Sequence, residues 1–201
     1  MPAATAADVR PAERIMLYGV TGSGKSTGAQ LLGAPLGLPV HLVDEEIGWL
    51  PGWVMRTVEE QRAITARLVA GERWVMDTAY GSFRDLVLAR AQVVVALDYP
   101  RRVSFGRLLR RTGSRWVTQE QMCNGNTERL RQILSPRDSI LLWHARSYPA
   151  TTRRIRAWES APDGIPVLRL SHPRELGELL AALGPARPRP ALPGPPLTGV
   201  P

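Results

Sequence analysis

Residues 14–27 read RIMLYGVTGSGKST, and this stretch decides the fold. Residues 14–18 carry a near-continuous apolar run, the pattern of a strand buried on both faces. Gly19, Gly22 and Gly24 let the chain wrap with its N–H groups turned inward, and a helix is predicted over about residues 25–32. Strand, glycine-rich turn and helix N-terminus in that order make a phosphate-binding loop, because both the turn and the first helical turn present partial positive charge. The spacing Gly19-Val-Thr21-Gly22-Ser23-Gly24-Lys25-Ser26 gives each group a task. The backbone of Gly19, Thr21, Gly22, Ser23 and Gly24 cradles phosphate, Lys25 reaches the terminal phosphates, Ser26 is placed for Mg²⁺, and Thr27 for the innermost phosphate. ATP and Mg²⁺ are therefore the expected ligands.

Outward from this loop, short apolar runs alternate with helical stretches. Strands are predicted over residues 40–43, 74–76, 93–97 and 167–170, and helices over 57–70, 83–90, 102–111 and 173–183. A further helical stretch over about 127–160 is interrupted near Pro136 and Pro149. The 57–70 helix has acids in its first turn, as its dipole favours, and Gly71 stops it. This alternation argues for an α/β fold of three layers, a five-stranded parallel sheet with helices on both faces. The folded body is expected over 13–183. The Ala/Pro-rich residues 1–12 and the Pro/Gly-rich residues 184–201 are expected to be disordered.

A chain of 201 residues, 44% hydrophobic, suits one domain. No apolar run approaches the ~18–20 residues of a membrane helix. The first fourteen residues carry as many acids as bases and no apolar core, so no secretory signal is expected. One cysteine, Cys123, allows no internal disulfide and has no evident base beside it to make it a nucleophile. A cytoplasmic location is the expectation. The net charge of +8 is unevenly spread: residues 1–100 carry −2, residues 101–156 carry +10, and the remainder is neutral. The excess is thus one anion-binding segment. Of 26 basic side chains 25 are arginine, so a single arginine is weak evidence, whereas the only lysine is Lys25.

A carboxylate at the end of a neighbouring strand would complete the Mg²⁺ site, and Asp44, Asp77 and Asp98 each close an apolar run. Pattern alone leaves the choice open.

The blocks LYGVTGSGKST (17–27), HLVDEEIGWLPGWV (41–54), ERWVMDTAYG (72–81) and VVVALDYPRRVSFGRLLRR (93–111) resemble successive blocks of the adenylate-kinase-related P-loop proteins called DNA topology modulation or FlaR-related proteins. The resemblance covers about residues 14–183. It implies a P-loop NTPase fold like that of nucleoside monophosphate kinases, with the third strand beside the P-loop strand. Asp77 then supports Mg²⁺ with Ser26, and Asp98 caps the helix that follows it. It also implies that Arg107 and Arg111, four residues apart, clamp adenine and phosphates, Arg111 with a catalytic role beside Lys25. Asp44 is placed to orient or deprotonate an acceptor hydroxyl. Arg84 could meet an acceptor anion, and Trp49 and Trp53 could line the pocket; His41 reads as structural. Residues 112–160 replace the adenylate kinase lid with a helical one bearing Arg146, Arg153 and Arg154. Thr78-Ala79 stands where relatives have Gly-Asn, which puts acceptor specificity in question. Because Glu45 and Glu46 follow Asp44, a neutral or cationic acceptor is expected unless Arg84 offsets them. The implied activity is transfer of the γ-phosphoryl group of MgATP to a nucleotide or small hydroxyl metabolite. The alternative is a nucleotide-binding regulatory protein associated with nucleic acid through the +10 segment; no nucleic-acid recognition module is visible in the sequence, which disfavours it.

Overall fold

The computed structural model describes residues 4–118, 121–127 and 139–184. Five strands make one sheet: β1 (Arg14–Gly19), β2 (Val40–His41), β5 (Trp74–Met76), β6 (Val93–Leu97) and β9 (Val167–Leu170). Their order is β2-β5-β1-β6-β9, all pairs parallel, with Ile15 opposite both Val75 and Val93. The central strands are almost entirely apolar because both faces are covered, and their alternation sorts side chains into two cores. On one face Ile15, Leu17, Val93 and Val95 pack with Leu32 and Leu36 of α2 (Lys25–Leu36). On the other Met16, Tyr18, Val94 and Ala96 pack with Trp74, Phe83 and Ile155. The remaining helices are α1 (Ala6–Val9), α3 (Val58–Val69), α4 (Arg84–Leu88), α5 (Arg101–Thr118), α6 (Ile140–Ser160) and α7 (Pro173–Leu183).

The expected three-layer fold is present, with differences that have local causes. Residues 4–12 are not disordered: the Ala4 N–H donates to Val167 O at 3.1 Å, Asp8 caps the helix at Thr5, and Val9 is fully buried. Helix α2 runs four residues beyond the predicted end because its left-handed glycine cap is Gly37, while Gly33 lies inside, pressed against Val40. Helix α5 continues to Thr118, and α6 passes through Pro149. Two short hairpins were unsignalled, β3–β4 (Trp49–Leu50 and Val54–Met55) and β7–β8 (Gln121–Met122 and Asn126–Thr127). The Pro-rich tail beyond Gly184 and the predicted break near Pro136 lie outside the described residues. Among the described residues no helix is long and apolar enough to cross a membrane.

Candidate active site

The loop between β1 and α2 owes its shape to glycine. Gly22 and Gly24 adopt left-handed backbone, φ 78° and 95°. A side chain at Gly22 would also collide with α5, its Cβ lying 2.4 Å from Ser104 O. One at Gly19 would lie 2.8 Å from Leu97 O. The loop is therefore pressed between β6 and α5. From α5, Arg107 Nη1 donates to Ser23 O at 3.3 Å, and its guanidinium lies 5.6 Å from the centre of the Tyr99 ring. Arginine so placed offers a flat cation at the loop's rim. Lys25 Nζ donates to Val20 O at 3.1 Å, curling back across the loop. The Ser23 hydroxyl is buried with no hydrogen-bond partner among the described residues, a donor suited to a phosphate oxygen.

Asp77 stands at the end of β5, beside the P-loop strand. Its Oδ2 accepts from Ser26 Oγ at 2.6 Å and its Oδ1 from Val43 N at 2.9 Å, so one carboxylate joins α2 to the turn after β2. Burial raises its pKa, opposed by these two hydrogen bonds. Burial lowers that of Lys25, opposed by Asp77 and Asp44 and reinforced by Arg111. Asp77, Asp44 and Arg111 thus each act on the charge of Lys25. The hydroxyl of Ser26 and the carboxylate of Asp77 are adjacent hard oxygen donors, a set that fits Mg²⁺.

Asp98 is differently engaged, and does not cap α5. Its carboxylate, only 3% exposed, accepts from Thr152 Oγ1 at 3.0 Å and lies 3.6 and 3.7 Å from Arg169 and Arg156, which ties β6 to α6 and β9. Asp77→Asn should therefore lower Mg²⁺-dependent turnover with little loss of Tm, whereas Asp98→Asn should lower stability by about 1–3 kcal/mol and spare turnover. Turnover and thermal unfolding of both variants give the ranking; the reverse order would assign the metal-supporting role to Asp98.

The turn after β2 is a π-helical turn, Asp44–Gly48. The Tyr80 hydroxyl donates to the Asp44 carboxylate, close enough to Gly48 that a Cβ there would lie 2.6 Å from it. Burial, with Asp44 adding, drives the Tyr80 pKa far above its usual value, so this phenol serves only as donor. Glu46 folds away from the site, accepting from Leu42 N at 3.0 Å and pairing with His41 Nδ1 at 2.9 Å. His41 is structural in this sense.

Tyr18, the residue before the loop, gathers two arginines. The Arg84 guanidinium lies 5.3 Å from the centre of its ring, and Arg154 Nη1 donates to its hydroxyl at 2.7 Å. Neither pairs with a carboxylate among the described residues. Burial and the nearby charge of Arg154 lower the Arg84 pKa. Sequence reasoning missed Tyr80 and Tyr18 and did not distinguish Arg154 from Arg146 and Arg153. Those two are exposed on α6.

The β7–β8 hairpin reaches over the turn after β2. Asn124 Nδ2 donates to Glu45 O at 2.8 Å and Trp49 O at 2.6 Å. The buried Asn126 donates to Leu50 O at 3.0 Å and accepts from Trp53 N at 2.9 Å. Trp49 and Trp53 meet edge to face at 5.5 Å within this packed loop. Cys123 is buried at the hairpin tip, and burial pushes its thiol up to about 12, so it is no nucleophile.

This arrangement has counterparts of known structure. Shikimate kinase from Acinetobacter baumannii, in complex with shikimate, matches over 89% of this chain and 95% of its own, at 15% identity and a TM-score of 0.55. Shikimate kinase from Bacteroides thetaiotaomicron matches over 86% and 96%, at 16% identity and a TM-score of 0.51. The fold is that of the P-loop kinases. No protein-family model matches the sequence, and no curated protein does. The resemblance to the DNA topology modulation and FlaR-related proteins accordingly rests on the motifs quoted above.

Proposed function

We propose that this chain is a phosphotransferase that moves the γ-phosphoryl group of MgATP to the hydroxyl of a small acceptor bearing an anionic group. The observation that carries the reading is the Asp77 carboxylate holding both Ser26 of the phosphate loop and the turn that presents Asp44. One carboxylate thereby sets the nucleotide side and the acceptor side in register.

In this reading the N–H groups of residues 19–24, Lys25, Arg107 and Arg111 hold the triphosphate and neutralise the charge that develops on it. Such positioning and charge neutralisation are most of what phosphoryl transfer asks of a protein. Ser26 and Asp77 would hold Mg²⁺, which would supply further positive charge to the phosphate oxygens. Asp44, oriented by Tyr80, accepts the acceptor's hydroxyl proton as its oxygen bonds to the γ-phosphorus; the bond to the bridging oxygen breaks and ADP leaves.

The anionic group in the acceptor follows from Arg84 and Arg154, which replaces the expectation of a neutral or cationic one. Glu46 is spent on His41, whereas two guanidinium groups share Tyr18 without a carboxylate. Arginine binds carboxylate and phosphate through paired hydrogen bonds. Two charges of the basic segment are engaged at the site, Arg107 on the phosphate loop and Arg154 on Tyr18, which favours a nucleotide and small-molecule role over a nucleic-acid one.

The test is a set of matched acceptors with MgATP: shikimate against its methyl ester, gluconate against glucose, and a nucleoside against its 5′-monophosphate. The anionic member of at least one pair is expected to accept phosphate with the lower KM. Arg84→Ala and Arg154→Ala are each expected to raise that KM about 10–100-fold, the cost of a charge-assisted contact, with the KM for ATP unchanged. Preference for the neutral members, or variants indifferent to the anion, would refute the acceptor class. Duplex DNA binding at physiological salt without transfer to any acceptor would favour the regulatory alternative.

A further inference from the structure

The loop of residues 44–55 carries Asp44; Ile47 anchors its first turn in the core, and the stretch beyond is lightly held by its own contacts. Its own hairpin pairs only two residues a side, too short for independent stability, and Val54 and Met55 face solvent. One end is tied through Val43 N to Asp77 and through Asp44 to Tyr80. Farther along, the ties come from another part of the chain. Two amide side chains at the tip of the 121–127 hairpin satisfy four backbone groups of the loop, the carbonyls of Glu45, Trp49 and Leu50 and the N–H of Trp53. Asn126 also donates to its own hairpin at Cys123 O, 2.5 Å away, so both ends of its amide are in use. The backbone on each side adopts left-handed conformations at non-glycine residues, φ 59° at Trp53, 41° at Cys123 and 65° at Asn124. Conformations of this kind persist only where surrounding contacts enforce them.

In sequence the hairpin follows α5, the helix whose Ser104 and Leu108 abut Gly22 and whose Arg107 reaches Ser23.

We infer that Asn124 and Asn126 are positioning residues that place the Asp44 loop under the control of α5, and so couple it to nucleotide binding at the phosphate loop. The coupling rests on the nucleotide-binding reading given above; the positioning does not. Both residues act on Asp44 through the backbone of its loop.

The experiment is amide hydrogen exchange of residues 44–55 in the full chain, with and without MgADP, for wild type, Asn124→Ala and Asn126→Ala. Without nucleotide, exchange over 44–55 is expected to rise at least tenfold in Asn126→Ala and less in Asn124→Ala, with exchange in β1 and β6 unchanged. With saturating MgADP the wild type is expected to change its exchange over 44–55, and the variants to lose that response while keeping the wild-type Kd for MgADP. Because Asn126 is buried, the exposed Asn124 supplies the second variant should Asn126→Ala unfold. Unchanged exchange without nucleotide in Asn124→Ala and in a folded Asn126→Ala would overturn the positioning. A response to MgADP that survives in both variants, or that is absent from a wild type shown to bind MgADP, would overturn the coupling. A wild type that binds no MgADP would refute the kinase reading and the coupling with it, leaving positioning to be decided by the measurement without nucleotide.

Discussion

Lys25→Ala is expected to lower phosphoryl transfer by at least about 10²–10³-fold, the range seen when one preorganised charge-stabilising donor is removed. The fold should survive. The side chain's hydrogen bond is to Val20 O within the same loop, and the strands and α2 are held by the two apolar cores. Arg107 and Arg111 cannot make good the loss, because they approach from α5 and not from the helix N-terminus that follows the loop. The check is MgADP affinity by calorimetry beside Tm: a large loss of affinity at nearly constant Tm is the expected pair. Equal affinity in variant and wild type would take the phosphate role from this lysine.

Asp44→Asn should reduce transfer to the true acceptor by about 10²–10⁴-fold, the range of a lost general base, while leaving MgADP affinity nearly unchanged. The substitution keeps an oxygen able to accept from the Tyr80 hydroxyl, so the π-helical turn should keep its place. What it removes is the capacity to take a proton. Transfer kinetics with the acceptor identified from the matched pairs, set beside MgADP binding, separate the two effects. A variant with full transfer activity would remove Asp44 from the reaction. The order of effect expected for this residue exceeds that for Arg84 or Arg154, to which the proposed function gives acceptor affinity and no part in bond exchange.

The central strands were legible because they are apolar runs bounded by glycine or a charge, and burial on both faces accounts for 14–18 and 93–97. The phosphate loop was legible because its glycine spacing is a backbone requirement. Less legible were features set by tertiary contact. Asp77 and Asp98 look alike in sequence, both closing apolar runs; the sheet order and the company each keeps distinguish them, Ser26 for one and Arg169 with Thr152 for the other. Tyr18 reads simply as the last apolar residue of a strand, and nothing local announces that its ring and hydroxyl will meet arginines from residues 84 and 154. The CNGN segment, 123–126, resembles any polar turn, since its partners lie more than seventy residues earlier in the chain. Residues 4–12 failed for a similar reason: alanine and proline suggest a loose end, but a single valine, Val9, finds a fully buried seat.

The solitary lysine has a chemical consequence. Apart from an α-amino terminus, Lys25 is the one primary amine in the 201 residues, and it lies in the phosphate loop. An amine-directed label should therefore report on one side-chain address, read apart from any α-amino terminus by peptide mapping, with none of the background that scattered lysines contribute in most proteins. Protection of that address by a nucleotide would be read as a single mass increment that appears or fails to appear, so the phosphate loop can be titrated in the intact chain without an engineered tag or a known acceptor.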